Sequence, residues 1–105
     1  MQVEIYETAR GSRPFIDWLY SLKDLRTQAR IEARVRRLSL GQWGDHKPVG
    51  KGVIELRLYF GPGYRIYCGR SGITIIVLLL GGDKGSQKAD IETAKRYLSD
   101  YKERS

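Results

Sequence analysis

GKGVIELRLYFGPGYRIYCGRSGITIIVLLLGGDKGSQ, residues 50–87, is the stretch that decides the fold. From Val53 the apolar residues recur every second position: Ile54, Leu56, Leu58 and Phe60 point one way, and Val53, Glu55, Arg57 and Tyr59 the other. Gly61-Pro62-Gly63 reads as a three-residue hairpin turn, and Tyr64 to Arg70 returns. Pairing Phe60 with Tyr64 sets Tyr59 against Arg65 and Arg57 against Tyr67 across the ladder. Ser71-Gly72 then turns the chain into Ile73 to Leu80, apolar on both faces and therefore a central strand. A three-strand meander results. Its polar face carries Arg57, Arg65, Tyr59 and Tyr67, and it ends in the Gly81–Gln87 loop.

Upstream, Val3 and Ile5 alternate with polar residues in a short strand, Gln2 to Tyr6. Ser12 is positioned to cap a helix with Pro14 in its first turn. Phe15, Trp18, Leu19 and Leu22 share one face of that helix. Asp24 caps a second helix that runs to about Leu40 and ends at Gly41, with Ile31, Val35 and Leu38 as its apolar stripe. Arg26, Arg30, Arg34 and Arg37 line its other face, a basic stripe that reads either as a solvated face, which is favoured, or as a contact for RNA or an acidic partner. Gln42 to Gly52 is a loop by composition, and Lys88 to about Lys102 forms a final helix burying Ile91, Ala94 and Leu98. The expected class is α+β: an N-terminal strand, a helix hairpin, an antiparallel meander sheet and a C-terminal helix. Residues 1–105 make one domain with a single core of two layers.

Nineteen Lys and Arg against twelve Asp and Glu give a net charge of +7, and the pI is near 9.8. That balance points to a polyanionic partner. Cys68 is the only cysteine, so no internal disulfide forms, and mid-strand it reads as a small buried hydrophobe. The N-terminal MQVEIYETAR lacks the pattern of a signal peptide, and the longest apolar run is too short to span a bilayer. The expected location is the cytoplasm, with no membrane partner. No Cys/His cluster or carboxylate group suggests a metal, so neither metal nor cofactor is expected.

Guanidinium groups bind phosphate bidentately and tyrosines stack bases, so Arg57, Arg65, Tyr59 and Tyr67 form a candidate RNA-binding face. A solvated sheet face with cross-strand cation–π pairs is the competing reading. The loop Gly81 to Gln87 joins a strand to a helix N-terminus, where anions are often held; it is equally readable as a tight turn capped by Ser86. His46 is the only histidine, a candidate general base that reads more readily as a surface-loop residue.

Three motifs carry a resemblance: GDHKPVGKGVIELR (44–57), GPGYRIY (61–67) and GGDKGSQKADI (81–91). With the order strand, helix hairpin, meander, helix, the chain resembles the RelE/ParE toxin superfamily. Within it, the phage-related addiction module killer proteins are most similar. The resemblance covers nearly the whole chain. It implies a RelE-like fold and the toxin of a type II toxin–antitoxin system. The implied partners are a cognate antitoxin, usually a small helix-turn-helix DNA-binding protein, and the ribosome with its mRNA. The implied activity is ribosome-dependent mRNA cleavage without metal, in which the substrate 2′-OH attacks the adjacent phosphate. On that resemblance Arg57, Arg65 and Lys84 are the catalytic candidates. Lys47, Lys51, Tyr59, Tyr64 and Tyr67 are the RNA-binding ones. The general base is Lys84, His46 or no protein group, because arginine does not deprotonate. Some RNase members of the superfamily place a histidine near the C-terminus, and this chain does not. Two alternatives stay open: a ParE-like gyrase inhibitor without nuclease activity, and a non-catalytic module that binds an antitoxin.

Overall fold

A computed structural model describes residues 1–105, and its architecture is α+β: a five-stranded mixed sheet with three helices. Strand β1 spans Gln2–Ile5, followed by helices α1, Pro14–Ser21, and α2, Leu25–Ser39. Strands β2 (His46–Gly50), β3 (Val53–Leu58), β4 (Tyr64–Ser71) and β5 (Ile75–Gly82) follow, and α3 spans Gln87–Arg104. The sheet order is β1-β5-β4-β3-β2, with β1 parallel to β5 and every other pair antiparallel. Strand β5 is thus interior, which is why its sequence is apolar on both faces. None of the helices is long and apolar enough to cross a membrane.

Helix α2 begins where expected, with the Asp24 carboxylate accepting from the backbone N–H of Arg26 at 2.9 Å. The expected Ser12 cap is not formed: Arg13 occupies the N-cap of α1, Pro14 starts the helix, and no side chain caps it. Ser12 instead donates its own N–H to the Thr8 hydroxyl.

The single two-layer core is also corrected. Helices α1 and α2 cover one face of the sheet, burying Phe15, Leu19, Ile31 and Leu38 against Leu56, Ile66, Cys68 and Leu78. Helix α3 covers much of the other face, packing Ala94 and Leu98 on Tyr6, Val53, Tyr67, Val77 and Leu79. The molecule therefore has three layers and two cores. As expected, Cys68 is a free, buried thiol, and burial pushes its pKa up to about 12.

The meander has four strands rather than three, because His46–Gly50, expected as loop, pairs with β3. This strand lies at the sheet edge, the one place where Pro48 removes no ladder hydrogen bond, and a register shift follows between Pro48 and Gly50. The turn around Gly61-Pro62-Gly63 is longer than a three-residue loop, since β3 ends at Leu58 and β4 begins at Tyr64. Arg57 consequently faces Arg65, and Glu55 faces Tyr67. A two-residue slip preserves which side chains share a face but changes every partner.

Close approach explains two glycines at the end of β5. A Cβ on Gly81 would lie 2.1 Å from the Trp18 ring of α1, and one on Gly82 would lie 2.0 Å from the Asp90 carboxylate of α3. Gly81→Ala forces the indole off the sheet and is expected to destabilise the fold by about 2–3 kcal/mol. Urea unfolding checks this; a loss below about 0.5 kcal/mol would show that Trp18 repacks freely.

Candidate functional site

Where α3 begins, its N-terminus meets β3 and β4, and several charged side chains converge there on Glu55. This residue is fully buried, although alternation placed it on an open face. Its Oε1 accepts from Arg57 Nε at 3.0 Å, and its Oε2 accepts from Gln87 Nε2 at 2.9 Å. Arg65 Nε stands 4.0 Å from Oε2, an ion pair without a hydrogen bond, and Arg65 Nη1 donates to the Gly63 carbonyl at 2.6 Å. Two arginines directly opposite each other would repel; the carboxylate diagonal to Arg65 holds them together. The Arg57 and Arg65 side chains remain 28% and 12% exposed, and the Arg65 Nε is buried without a hydrogen-bond partner.

Burial pushes the Glu55 carboxyl up. The hydrogen bonds from Gln87 and Arg57, with the charges of Arg57 and Arg65, outweigh it, and the net pKa lies below the ordinary glutamate value. Arg57 is correspondingly held protonated by Glu55. The Glu55 carboxylate fixes Arg57 through Nε and no second carboxylate takes its terminal nitrogens, a geometry suited to receiving an anion.

Asp83 accepts from the Gly85 N–H at 2.8 Å and forms a capping box with Ser86 on a single 3-10 turn, Lys84–Ser86. The Ser86 hydroxyl donates to Asp90 Oδ2 at 2.5 Å. The turn presents Lys84 beside the arginines: a Cβ on Gly63 would lie 3.0 Å from Arg65 Nη1 and 3.4 Å from Lys84 Cβ. Lys84 is exposed and forms no ion pair. Arg57 and Arg65 are therefore gathered at one place, with the base of the Lys84 side chain next to the Gly63 turn that Arg65 contacts.

The binding candidates divide. Lys47 pairs with Glu55 across the β2–β3 ladder and shares its face. Lys51 sits in the turn after β2, with a left-handed backbone (φ 52°), beside Lys95 and Arg96 of α3 rather than beside the arginines. Tyr67, expected to stack a base, is fully covered, and its hydroxyl has no hydrogen-bond partner. Burial, then the charges of Glu55 and Asp90, raises its pKa. Tyr64 lies on the opposite face, its ring against Phe60 and Trp18 with centroids 5.4 and 6.0 Å away. Tyr59 is 78% exposed, beyond the end of β3, with its hydroxyl donating to Asp45. His46 pairs with Leu56 and so lies on the face away from Arg57, against Trp43.

Sequence reasoning missed Glu55 and Gln87, and misplaced Arg34. The ELR order of residues 55–57 puts an acid and a base on one strand face, which was a legible signal; Gln87 had none. Arg34, read as part of the solvated stripe, is buried. It donates to the carbonyls of Arg57 (2.7 Å), Trp43 (2.9 Å) and Asp45 (2.6 Å). No group of three or more His, Cys, Asp or Glu side chains gathers in a way that would hold a metal.

No family model matches the chain. An uncharacterized protein of Haemophilus influenzae (strain Rd) is 47% identical over 81 residues, spanning 77% of this chain and 82% of the relative. At that identity and coverage, this chain belongs to the same family as the Haemophilus influenzae protein.

Proposed function

We propose that the chain is a RelE-like toxin of a type II toxin–antitoxin system, a ribosome-dependent mRNA endoribonuclease acting in the cytoplasm. The observation that carries this reading is the Arg57–Arg65 pair, pinned from behind by Glu55 and flanked by Lys84. In the reaction the substrate 2′-OH gives up its proton as its oxygen bonds to the adjacent phosphorus, the bond from phosphorus to the 5′-oxygen breaks, and the 5′-oxygen takes up a proton. The products are a 2′,3′-cyclic phosphate and a 5′-OH. Negative charge accumulates on the phosphorane oxygens, where preorganised guanidinium groups stabilise it. Neither arginine transfers protons. With His46 on the other face, Lys84 is the protein group assigned to proton transfer. Lys47 and Lys51 supply backbone contacts, and a cognate antitoxin, a small helix-turn-helix protein, neutralises the toxin.

The test is to induce the chain alone in bacteria, map mRNA 5′ ends and assay gyrase supercoiling. Growth arrest with new 5′-OH ends in translated messages is expected. Inhibited supercoiling with intact mRNA would replace this reading with a gyrase inhibitor. Arg65→Ala is expected to abolish the arrest and lower cleavage by about 10²–10³-fold, the usual loss on removing one preorganised donor. Unchanged toxicity in that variant would sink the site assignment.

A further inference from the structure

Behind the end of β3, on the side facing α2, is a second basic feature. A cleft of about 360 Å³ is lined by Arg30, Arg34, Arg37, Arg57, Asp45 and Tyr59. Arg34 forms its floor. It is only 7% exposed, its hydrogen bonds go to carbonyl oxygens, its Nε has no partner, and no carboxylate pairs with it. Arg30 and Arg37 are exposed on the rim and likewise form no ion pair. The one carboxylate in the cleft, Asp45, is engaged by the Tyr59 hydroxyl.

Burial and the charge of Arg37 disfavour the Arg34 cation and Asp45 offsets this only in part, so with four guanidinium groups against one carboxylate the cleft favours an anion over Arg34. Two aromatic rings bound the same cleft. Phe60 lies under Arg30, whose guanidinium carbon is 3.8 Å from the ring centroid, and Tyr59 stands open to solvent. With the Phe60 face taken by Arg30, Tyr59 is the open aromatic face beside these guanidinium groups, and that pairing suits a strand that alternates phosphates and bases; an acidic peptide needs only the charge. Arg57 borders both features. Its carbonyl accepts from Arg34, and its Nε turns towards Glu55.

We propose that this cleft binds a phosphodiester of single-stranded nucleic acid, a second subsite beside the Arg57–Arg65 pair. The strand's identity as RNA rests on the function proposed above; the cleft's affinity for phosphodiesters does not.

The experiment uses an end-labelled 2′-O-methyl RNA oligonucleotide, which lacks the attacking hydroxyl, and follows its binding by fluorescence anisotropy across a salt series. The R30Q/R37Q variant is expected to bind about tenfold more weakly. The slope of log K against log salt should fall by about 1.4, or about 0.7 for each phosphate that is no longer neutralised. R26Q/R36Q removes the same charge from the same helix outside the cleft and should stay within about twofold of wild type. Thermal unfolding of both variants checks that these exposed positions leave the fold intact. Equal binding by R30Q/R37Q and wild type, or equal losses in the two variants, would overturn the proposal. So would a glutamate-rich peptide that binds through Arg30 and Arg37 when the oligonucleotide does not. If the wild-type chain causes no arrest in cells yet binds the oligonucleotide through Arg30 and Arg37, the toxin reading fails and the cleft stands.

Discussion

Arg34→Ala is expected to destabilise the protein by roughly 3–4 kcal/mol, more than alanine at any other arginine along α2. One guanidinium supplies three hydrogen bonds to the carbonyls of Arg57, Trp43 and Asp45, joining α2, the loop before β2 and strand β3. Hydrogen bonds from a charged donor contribute about 1.5–3 kcal/mol each. The sum is discounted because carbonyls on an exposed loop regain water when the donor leaves. Arg34→Lys should recover less than half of the loss, since one ammonium does not span three carbonyls in a planar fork. Arg37→Ala, one turn of helix away and exposed, should stay within about 0.5 kcal/mol of wild type. Arg30→Ala should cost about 0.5–1 kcal/mol by removing the cation stacked over Phe60. Urea denaturation of the four variants measures the contrast. Equal small losses at positions 30, 34 and 37 would show that the stripe is uniform after all.

Glu55→Gln should affect stability and function together. Removing one partner from a buried ion pair costs about 3–5 kcal/mol. Because Arg57 keeps 28% of its side chain exposed, water takes up part of that charge, and roughly 2–3 kcal/mol is expected. The glutamine amide also turns donors towards donors. The pH profile identifies the cause. The folded-state pKa of Glu55 lies below its ordinary value, so its contribution is complete above the ordinary glutamate range and is lost as pH falls through the folded value. Wild type should therefore lose stability on acidification more steeply than Glu55→Gln, and the two curves should converge at low pH. Asp100 is likewise held low, by Tyr6 and Arg104, so some acid sensitivity persists in the variant. Asp90, raised by burial, works in the opposite sense. Parallel curves for the two proteins would remove Glu55 from its role. Even when folded at low temperature, Glu55→Gln should lose toxicity, because the arginines then spread apart by mutual repulsion.

What was legible follows from period and chain punctuation. The two-residue alternation of β3 and β4, the doubly apolar β5, the Asp24 cap and the apolar face of α2 are local patterns, and each formed about where it was read. The edge strand β2 was hidden because Pro48 and its neighbouring glycines look like loop, and only the position of β2 at the sheet edge makes proline tolerable. The buried state of Tyr67 and Glu55 was hidden for a different reason. Alternation tells which residues share a face, and says nothing about whether a helix from another part of the chain covers it.

The same division holds at the site. The sequence by itself determined that Arg57 and Arg65 share a face, because side-chain direction in a strand is set by the backbone alone, and that a turn carrying Asp83 and Lys84 follows the meander. It also determined the excess of positive charge. Only the tertiary structure decided that the two arginines oppose each other, that Glu55 binds between them, and that Gln87 and Lys84 arrive there from a distant turn. Likewise, four arginines that look alike along α2 became one buried clamp and three exposed cations. Partnership across the sheet depends on loop length and on which helix packs above it, and those are settled by long-range packing rather than by neighbours in the chain.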